Sequence, residues 1–237
     1  MAEPCIVAMG GGGFSMEPNN PLLDDYVLKL TRKADPRVCF VPTASGDATA
    51  YTVNFYSSFT RKKCRPSHLA ILQGRPVEME QFVLGQDVIY VGGGNTATMM
   101  ASWRVLGLDE ILRKAWLQGV ILTGLSAGSI CWFESGPSDS WGAELRPVSG
   151  LGFLPGSHCP HYDGEADRRP SYQRLIQDGL LPDGYAADDG AALVFRGTSL
   201  DEVVSSRPQA QAWRVERNSD GGVTESALPT RFLSANT

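Results

Sequence analysis

Short, continuously apolar runs separated by stretches of helical length constrain this chain most. The runs are Cys5–Met9, Val38–Val41, His68–Leu72, Asp87–Val91 and Val120–Thr123. None alternates polar with apolar, so each reads as a strand covered on both faces, the pattern of a parallel sheet. Between them lie helix-compatible segments at Pro21–Lys33, Thr49–Lys63, Val77–Leu84 and Thr96–Gln118. Pro21 in a first turn, with Asp24 and Asp25 after it, marks a helix start. The alternation predicts an α/β fold: a doubly wound, mostly parallel central sheet with helices on both faces. The last third differs. Ala191–Phe195, Leu200–Val204, Ala210–Val215 and Val223–Ala227 are short strand-like runs separated by glycine turns, which predicts antiparallel hairpins at the edge or end of that sheet. No linker, repeat or low-complexity tract interrupts the 237 residues, so a single domain over 1–237 is expected.

Charge and cysteine content narrow the function. The net charge of −5 implies no basic face for nucleic acid or an anionic membrane. Five cysteines, an odd number with no C-x-x-C pair, suggest neither a disulfide framework nor a zinc site. The N-terminus lacks the charged start of a signal peptide, and no run reaches the roughly 18 apolar residues that span a bilayer. A cytoplasmic protein without metal or cofactor is expected.

Glycine is over-represented, 26 of 237, and falls in three clusters at strand ends. Gly10–Gly13 follows the first strand and fails as a dinucleotide fingerprint, since Ser15 stands at its third glycine; it reads as a loop of unassigned purpose. Gly92-Gly93-Gly94-Asn95 precedes a helix and can aim backbone N–H groups at negative charge. The third, Gly124-Leu125-Ser126-Ala127-Gly128, is a G-x-S-x-G sequence after an apolar strand and before a helix, the setting of a nucleophile elbow. Gly124 and Gly128 remove β-carbons that would crowd the turn, and the Ala127 N–H can face a developing oxyanion.

A serine nucleophile needs a base. Of the three histidines, His68 lies in an apolar run and His158 reads as a supporting residue. His161, at the start of a loop after Pro160, is the favoured base. Among the acids between elbow and histidine, Asp139 in a Ser/Gly/Pro-rich loop is favoured to orient the imidazole, with Glu134 as the alternative.

Gly92-Gly93-Gly94-Asn95-Thr96, Gly124-x-Ser126-Ala127-Gly128 and Pro160-His161-Tyr162, in that order, resemble the peptidase E (aspartyl dipeptidase) serine peptidases, a family that includes the more distant cyanophycinases. The likeness runs from about Cys5 to Arg174. It implies a fold like the class I glutamine amidotransferases, with serine replacing their cysteine, and a Ser-His-acid mechanism. Ser126 matches the nucleophile and His161 the base. Asp139 matches the aspartate by ungapped counting from His161, and Glu134 stays open because relatives use either acid. Gly93, Gly94 and Ala127 match the oxyanion segment, Asn95 a residue near the substrate's amino end, and Arg169 the arginine that holds a substrate aspartate. The expected activity is hydrolysis of dipeptides or small peptides at the N-terminal residue, Asp-X among them. A homodimer could close a small exposed site. The alternatives are an esterase of the α/β-hydrolase type, which shares the order Ser…Asp…His, and a non-catalytic binding protein on the same fold.

Overall fold

Strand β1 (Cys5–Met9) forms where the first apolar run predicts it and is buried along its whole length. A computed structural model describes residues 3–74 and 77–234. After β1 come α1 (Gly13–Met16), α2 (Leu22–Leu30), β2 (Arg37–Val41), α3 (Thr49–Phe59), β3 (Arg65–His68), α4 (Met79–Leu84) and β4 (Val88–Val91). Then follow α5 (Thr96–Leu106), α6 (Leu108–Leu117) and β5 (Ile121–Leu125). The five strands pair in parallel in the order β3-β2-β4-β5-β1. Alternate side chains build two cores. Ile6, Ala8, Ile89, Val91 and Leu122 meet Met79, Met99, Trp103 and Leu112 from α4–α6. Val7, Met9, Phe40, Val88 and Tyr90 meet Phe14, Leu23, Phe55 and Phe59 from α1–α3. Helices therefore cover both faces, as the apolar runs require.

Two elements depart from expectation. The strand expected over His68–Leu72 lies at Arg65–His68 on the sheet edge. Leu69 N–H still donates to Phe40 O, but Asp47 Oδ2 then takes the Leu72 N–H at 2.7 Å. The chain leaves the sheet there, and Leu69 and Ile71 are buried as loop residues. The single helix expected over Thr96–Gln118 is two helices, because Gly107 takes a left-handed φ of 74° and caps α5.

The remaining elements are α7 (Ala127–Ile130), β6 (Phe133–Ser138), β7 (Arg146–Ser149), β8 (Leu154–Cys159), α8 (Arg168–Gln177) and β9 (Gly184–Ala187). After them come β10 (Ala191–Arg196), β11 (Ser199–Ser205), β12 (Ala212–Arg217), β13 (Val223–Leu228) and β14 (Thr230–Phe232). Only part of the last third extends the main sheet. There β10 runs antiparallel beside β1, then β11 and β14 complete eight strands. The β12–β13 hairpin belongs instead to a second sheet, ordered β13-β12-β9-β8-β6-β7. Helix α8 packs Tyr172 and Ile176 against this sheet's Cys159 and Val215. The glycine runs after β1, β4 and β5 collect at the carboxyl ends of the parallel strands, where open α/β sheets place their sites.

Candidate active site

The Ser126 backbone is its first distinguishing feature. It has φ 56° and ψ −120°, between the end of β5 and the start of α7. That conformation costs a residue with a β-carbon about 1–3 kcal/mol. The surroundings enforce it. A β-carbon on Gly124 would lie 2.3 Å from Gly128 O, and one on Gly128 would lie 2.2 Å from Val91 O, so the turn presses directly on β4. Only four non-glycine residues among those described have positive φ, and His161, at 55°, is another.

The first glycine run joins the two. Its Gly10 follows Met9, which pairs with Leu125, so Gly10 continues alongside Ser126. Gly10 O accepts the His161 N–H at 3.1 Å. The histidine backbone is thus pinned to the strand neighbouring the serine. Its ring Nδ1 lies 2.6 Å from Asp189 Oδ1. A carboxylate only accepts, so Nδ1 carries the hydrogen and Nε2 keeps a free lone pair. Both side chains are largely buried, 10% and 13% exposed. A β-carbon on Gly11 would lie 2.0 Å from Asp189 Oδ1, and one on Gly164 would lie 2.5 Å from Oδ2. Asp163 Oδ1 accepts the Asp189 N–H at 2.7 Å. The acid is held at its backbone and packed around its carboxylate.

Asp139 and Glu134 are therefore not the carboxylates that the structure brings to His161. Asp139 is exposed at the start of the loop after β6, where its carbonyl accepts the Gly142 N–H. Glu134 is exposed on β6 and its carboxylate accepts the Gly156 N–H at 2.9 Å. Glu134 belongs to the second sheet and Asp139 to the loop that follows its β6 strand. Asp189 lies 28 residues beyond His161, in the turn Asp188-Asp189-Gly190 before β10. A glycine turn directly preceding the apolar run Ala191–Phe195 is the sequence signal that points to it.

The other expected residues are partly committed elsewhere. Gly93 lies beside the serine, where an added β-carbon would be 3.2 Å from Ser126 Cβ, but its N–H donates to the Tyr51 hydroxyl at 3.2 Å. Gly94 is exposed, with φ 138°, and a β-carbon there would overlap Ala44 O. Ala127 is buried at the start of α7. Asn95 caps α5: its Oδ1 accepts the Thr98 N–H at 2.8 Å and its Nδ2 donates to Ser140 O at 3.0 Å. Arg169 pairs with Glu225 and lies over the rings of Trp213 and Tyr162, 4.7 and 5.3 Å from their centres. Glu225 also takes hydrogen bonds from Tyr162 and from Gln173. The arginine charge is already matched by a carboxylate.

His158 supports the elbow from behind. It is fully buried and stacked on Phe133. Its Nδ1 faces Tyr185 O at 3.2 Å, so Nδ1 carries a hydrogen, and Nε2 lies 3.1 Å from Ser129 Oγ, which is also 2.8 Å from Ser126 O. This links α7, just behind the serine, to β8 and β9 of the second sheet. Burial pushes His158 down to about 3. The unfolded chain binds this proton near the ordinary value of about 6.5 and the folded chain does not. Stability from this group is complete above about pH 6.5 and is lost toward pH 3, at about 1.4 kcal/mol per unit. Urea unfolding of wild type and His158→Gln between pH 7 and pH 5 should show a shallower pH dependence in the variant.

A groove of about 930 Å³ lies at the opposite end, lined by Lys29, Arg37, Asp87, Val120 and Arg196 near the amino ends of the strands. It does not include Ser126, His161 or Asp189. Among the described residues there is no group of three His, Cys, Asp or Glu placed to hold a metal, and no helix is long and apolar enough to cross a membrane.

The model of peptidase family S51 matches residues 6–203. The chain belongs to this family, the peptidase E family. The S51 chain is 52% identical over 228 residues to the uncharacterized peptidase YgaJ of Bacillus subtilis, covering 96% of this chain and 98% of that one. A crystal structure of a peptidase from an acI-B1 Actinobacterium superposes with TM-score 0.71 at 18% identity, over 96% of this chain and 95% of that one. A Listeria monocytogenes EGD-e protein assigned to peptidase E superposes with TM-score 0.60, also at 18% identity, over 96% and 100%. These two likenesses bear on the fold, which matches in its large, mostly parallel sheet.

Proposed function

We propose that this S51 peptidase is a serine dipeptidase in which Ser126 is the nucleophile, His161 the base and Asp189 the acid that orients it. The observation that carries the reading is the buried His161–Asp189 pair, hung from Gly10 beside a serine in strained backbone. His161 Nε2 takes the Ser126 Oγ proton as Oγ bonds to the scissile carbonyl carbon. Asp189 holds the imidazole in the required tautomer and stabilises its charged form. When the C–N bond breaks, the same proton passes to the leaving amine. Water then gives a proton to His161 as its oxygen bonds to the acyl carbon, and His161 returns that proton to Ser126 Oγ as the bond to the serine breaks, so base and nucleophile are both restored.

The engagement of Arg169 by Glu225 bears on specificity. A substrate aspartate would have to displace a carboxylate that is itself held by Tyr162 and Gln173. The reading is therefore a dipeptidase for uncharged N-terminal residues rather than one for Asp-X. An X-Leu dipeptide series measured with wild type and Ser126→Ala tests both parts. Expected are turnover of neutral X-Leu at least as fast as Asp-Leu, and a loss of about 10⁴-fold or more with Ser126→Ala. Undiminished turnover by Ser126→Ala removes the serine mechanism, and a strong preference for Asp-Leu removes the specificity.

A further inference from the structure

The glycine run Gly10–Gly13, a loop without assigned purpose in the sequence, carries both partners of the His161–Asp189 pair. Gly10 O accepts the His161 N–H and Gly11 O accepts the Gly190 N–H, each at 3.1 Å. Base and acid therefore hang from consecutive carbonyls of one backbone segment. The approach leaves no room for side chains: a β-carbon on Gly10 would lie 2.3 Å from Asp188 O, and one on Gly12 would lie 3.3 Å from Gly190 Cα. The turn Asp188-Asp189-Gly190 rests on this bed, and its far side is held as well. Gly190 O accepts the Ser206 N–H at 2.8 Å. What holds Ser206 comes from the start of the chain. The run continues into α1, and Glu17, which caps α1, donates its N–H to Gly13 O at 2.8 Å. The Glu17 side chain, 11% exposed, then faces residues 206 and 207: Oε2 accepts from Ser206 Oγ and Oε1 from Arg207 Nε, both at 2.7 Å. Asn20 Nδ2 donates to Ser206 O at 3.0 Å. The Arg207 stem lies beside Gly190, where a β-carbon would be 2.9 Å from its Cγ.

We propose that Glu17 is a positioning residue for the hydrolysis: by holding Ser206 and Arg207 against Gly190, it keeps the Asp189 turn on the Gly10–Gly13 bed and the Asp189 carboxylate on His161 Nδ1. Histidine and acid come from separate segments, and a shift of about 1 Å between them is enough to cost much of the rate. Gly11 and Asp163 hold the turn from one side, and Glu17 acts on the other through Ser206 and Arg207. The carboxylate is what suits the place. It accepts from both donors at once, whereas an amide has one accepting oxygen and turns its NH₂ toward the second donor. The inference rests on the proposed Ser126–His161–Asp189 mechanism, and Glu17 itself exchanges no proton in it.

Glu17→Gln keeps the size of the side chain and breaks the double acceptance. With the best X-Leu substrate, kcat should fall at least about tenfold while KM changes less than about threefold. Ser206→Ala, which retains the N–H bonded to Gly190, should lose less in the same direction. Two readouts separate positioning from plain stabilisation. The downfield proton resonance of His161 Nδ1–H, identified by its absence in Asp189→Asn, should move upfield or broaden in Glu17→Gln. In the Asp189→Asn background, Glu17→Gln should cost less than about twofold, because no carboxylate is left to place. Equal losses in both backgrounds, or a lower melting temperature with kcat and the resonance unchanged, overturn the proposal. Should Glu17→Gln fail to fold, Ser206→Ala decides by the same readouts, and retained kcat with an unmoved resonance overturns it. Wild-type kcat in Glu17→Gln beside a crippled Asp189→Asn removes Glu17 alone. A normal rate for Asp189→Asn removes the acid and Glu17 together.

Discussion

Asp189→Asn should lower kcat/KM by about 10⁴-fold, whereas Asp139→Ala and Glu134→Ala should remain within a few-fold of wild type. An asparagine fits the space between Gly11 and Gly164 and keeps the Asp163 bond to its backbone, so the fold should be preserved. The chemistry would not be. Turning its NH₂ toward His161 Nδ1 moves the ring hydrogen to Nε2, and Nε2 then has no lone pair for the serine proton. The negative charge that stabilises the imidazolium is lost as well. The check is steady-state kinetics on the three variants, with melting curves to show that each is folded. A normal rate for Asp189→Asn, or a collapse for Asp139→Ala, would return the role to the loop after β6.

Gly128→Ala should destabilise the protein by at least about 3 kcal/mol. The new methyl would lie 2.2 Å from Val91 O and 3.0 Å from Val91 Cβ. Neither can yield cheaply, because Val91 is the last residue of β4, paired with Gly124 of β5. For a chain of this size the loss corresponds to a fall in melting temperature of about 10 °C. Gly107→Ala is the contrast. Gly107 stands between two helices, and nothing lies within 4 Å of its β-carbon position. Its cost is limited to the left-handed conformation, about 1 kcal/mol. Thermal melts of both variants separate steric from conformational demand. Equal shifts would mean that the elbow relaxes more readily than its contacts indicate.

These contrasts show what can be read along the chain. The elbow is legible because everything it needs is local: an apolar strand, two glycines four residues apart and a helix start. The parallel strands are legible because burial on both faces leaves an unbroken apolar run. The second sheet is not. Strands such as Phe133–Ser138, Arg146–Ser149 and Leu154–Cys159 are rich in proline, glycine and serine and carry no period. What makes them strands is pairing with one another. The partner of His161 was hidden for a related reason. Asp139 and Glu134 lie between serine and histidine in sequence, but the chain between them builds another sheet. Asp189 reaches the histidine only because β10 returns to lie against β1. Asn95 and Arg169 are expected from the family resemblance alone, and nothing in it reveals that Thr98, Ser140 and Glu225 occupy their polar atoms.

The return of β10 also sets an order of events during synthesis. Serine and histidine leave the ribosome well before residue 189, and the strand that follows it is an interior member of the eight-stranded sheet. Until that strand inserts beside β1, the imidazole has no carboxylate behind it. On the proposed mechanism the nascent chain thus emerges with its set of serine, histidine and acid incomplete, and competence arrives together with closure of the fold.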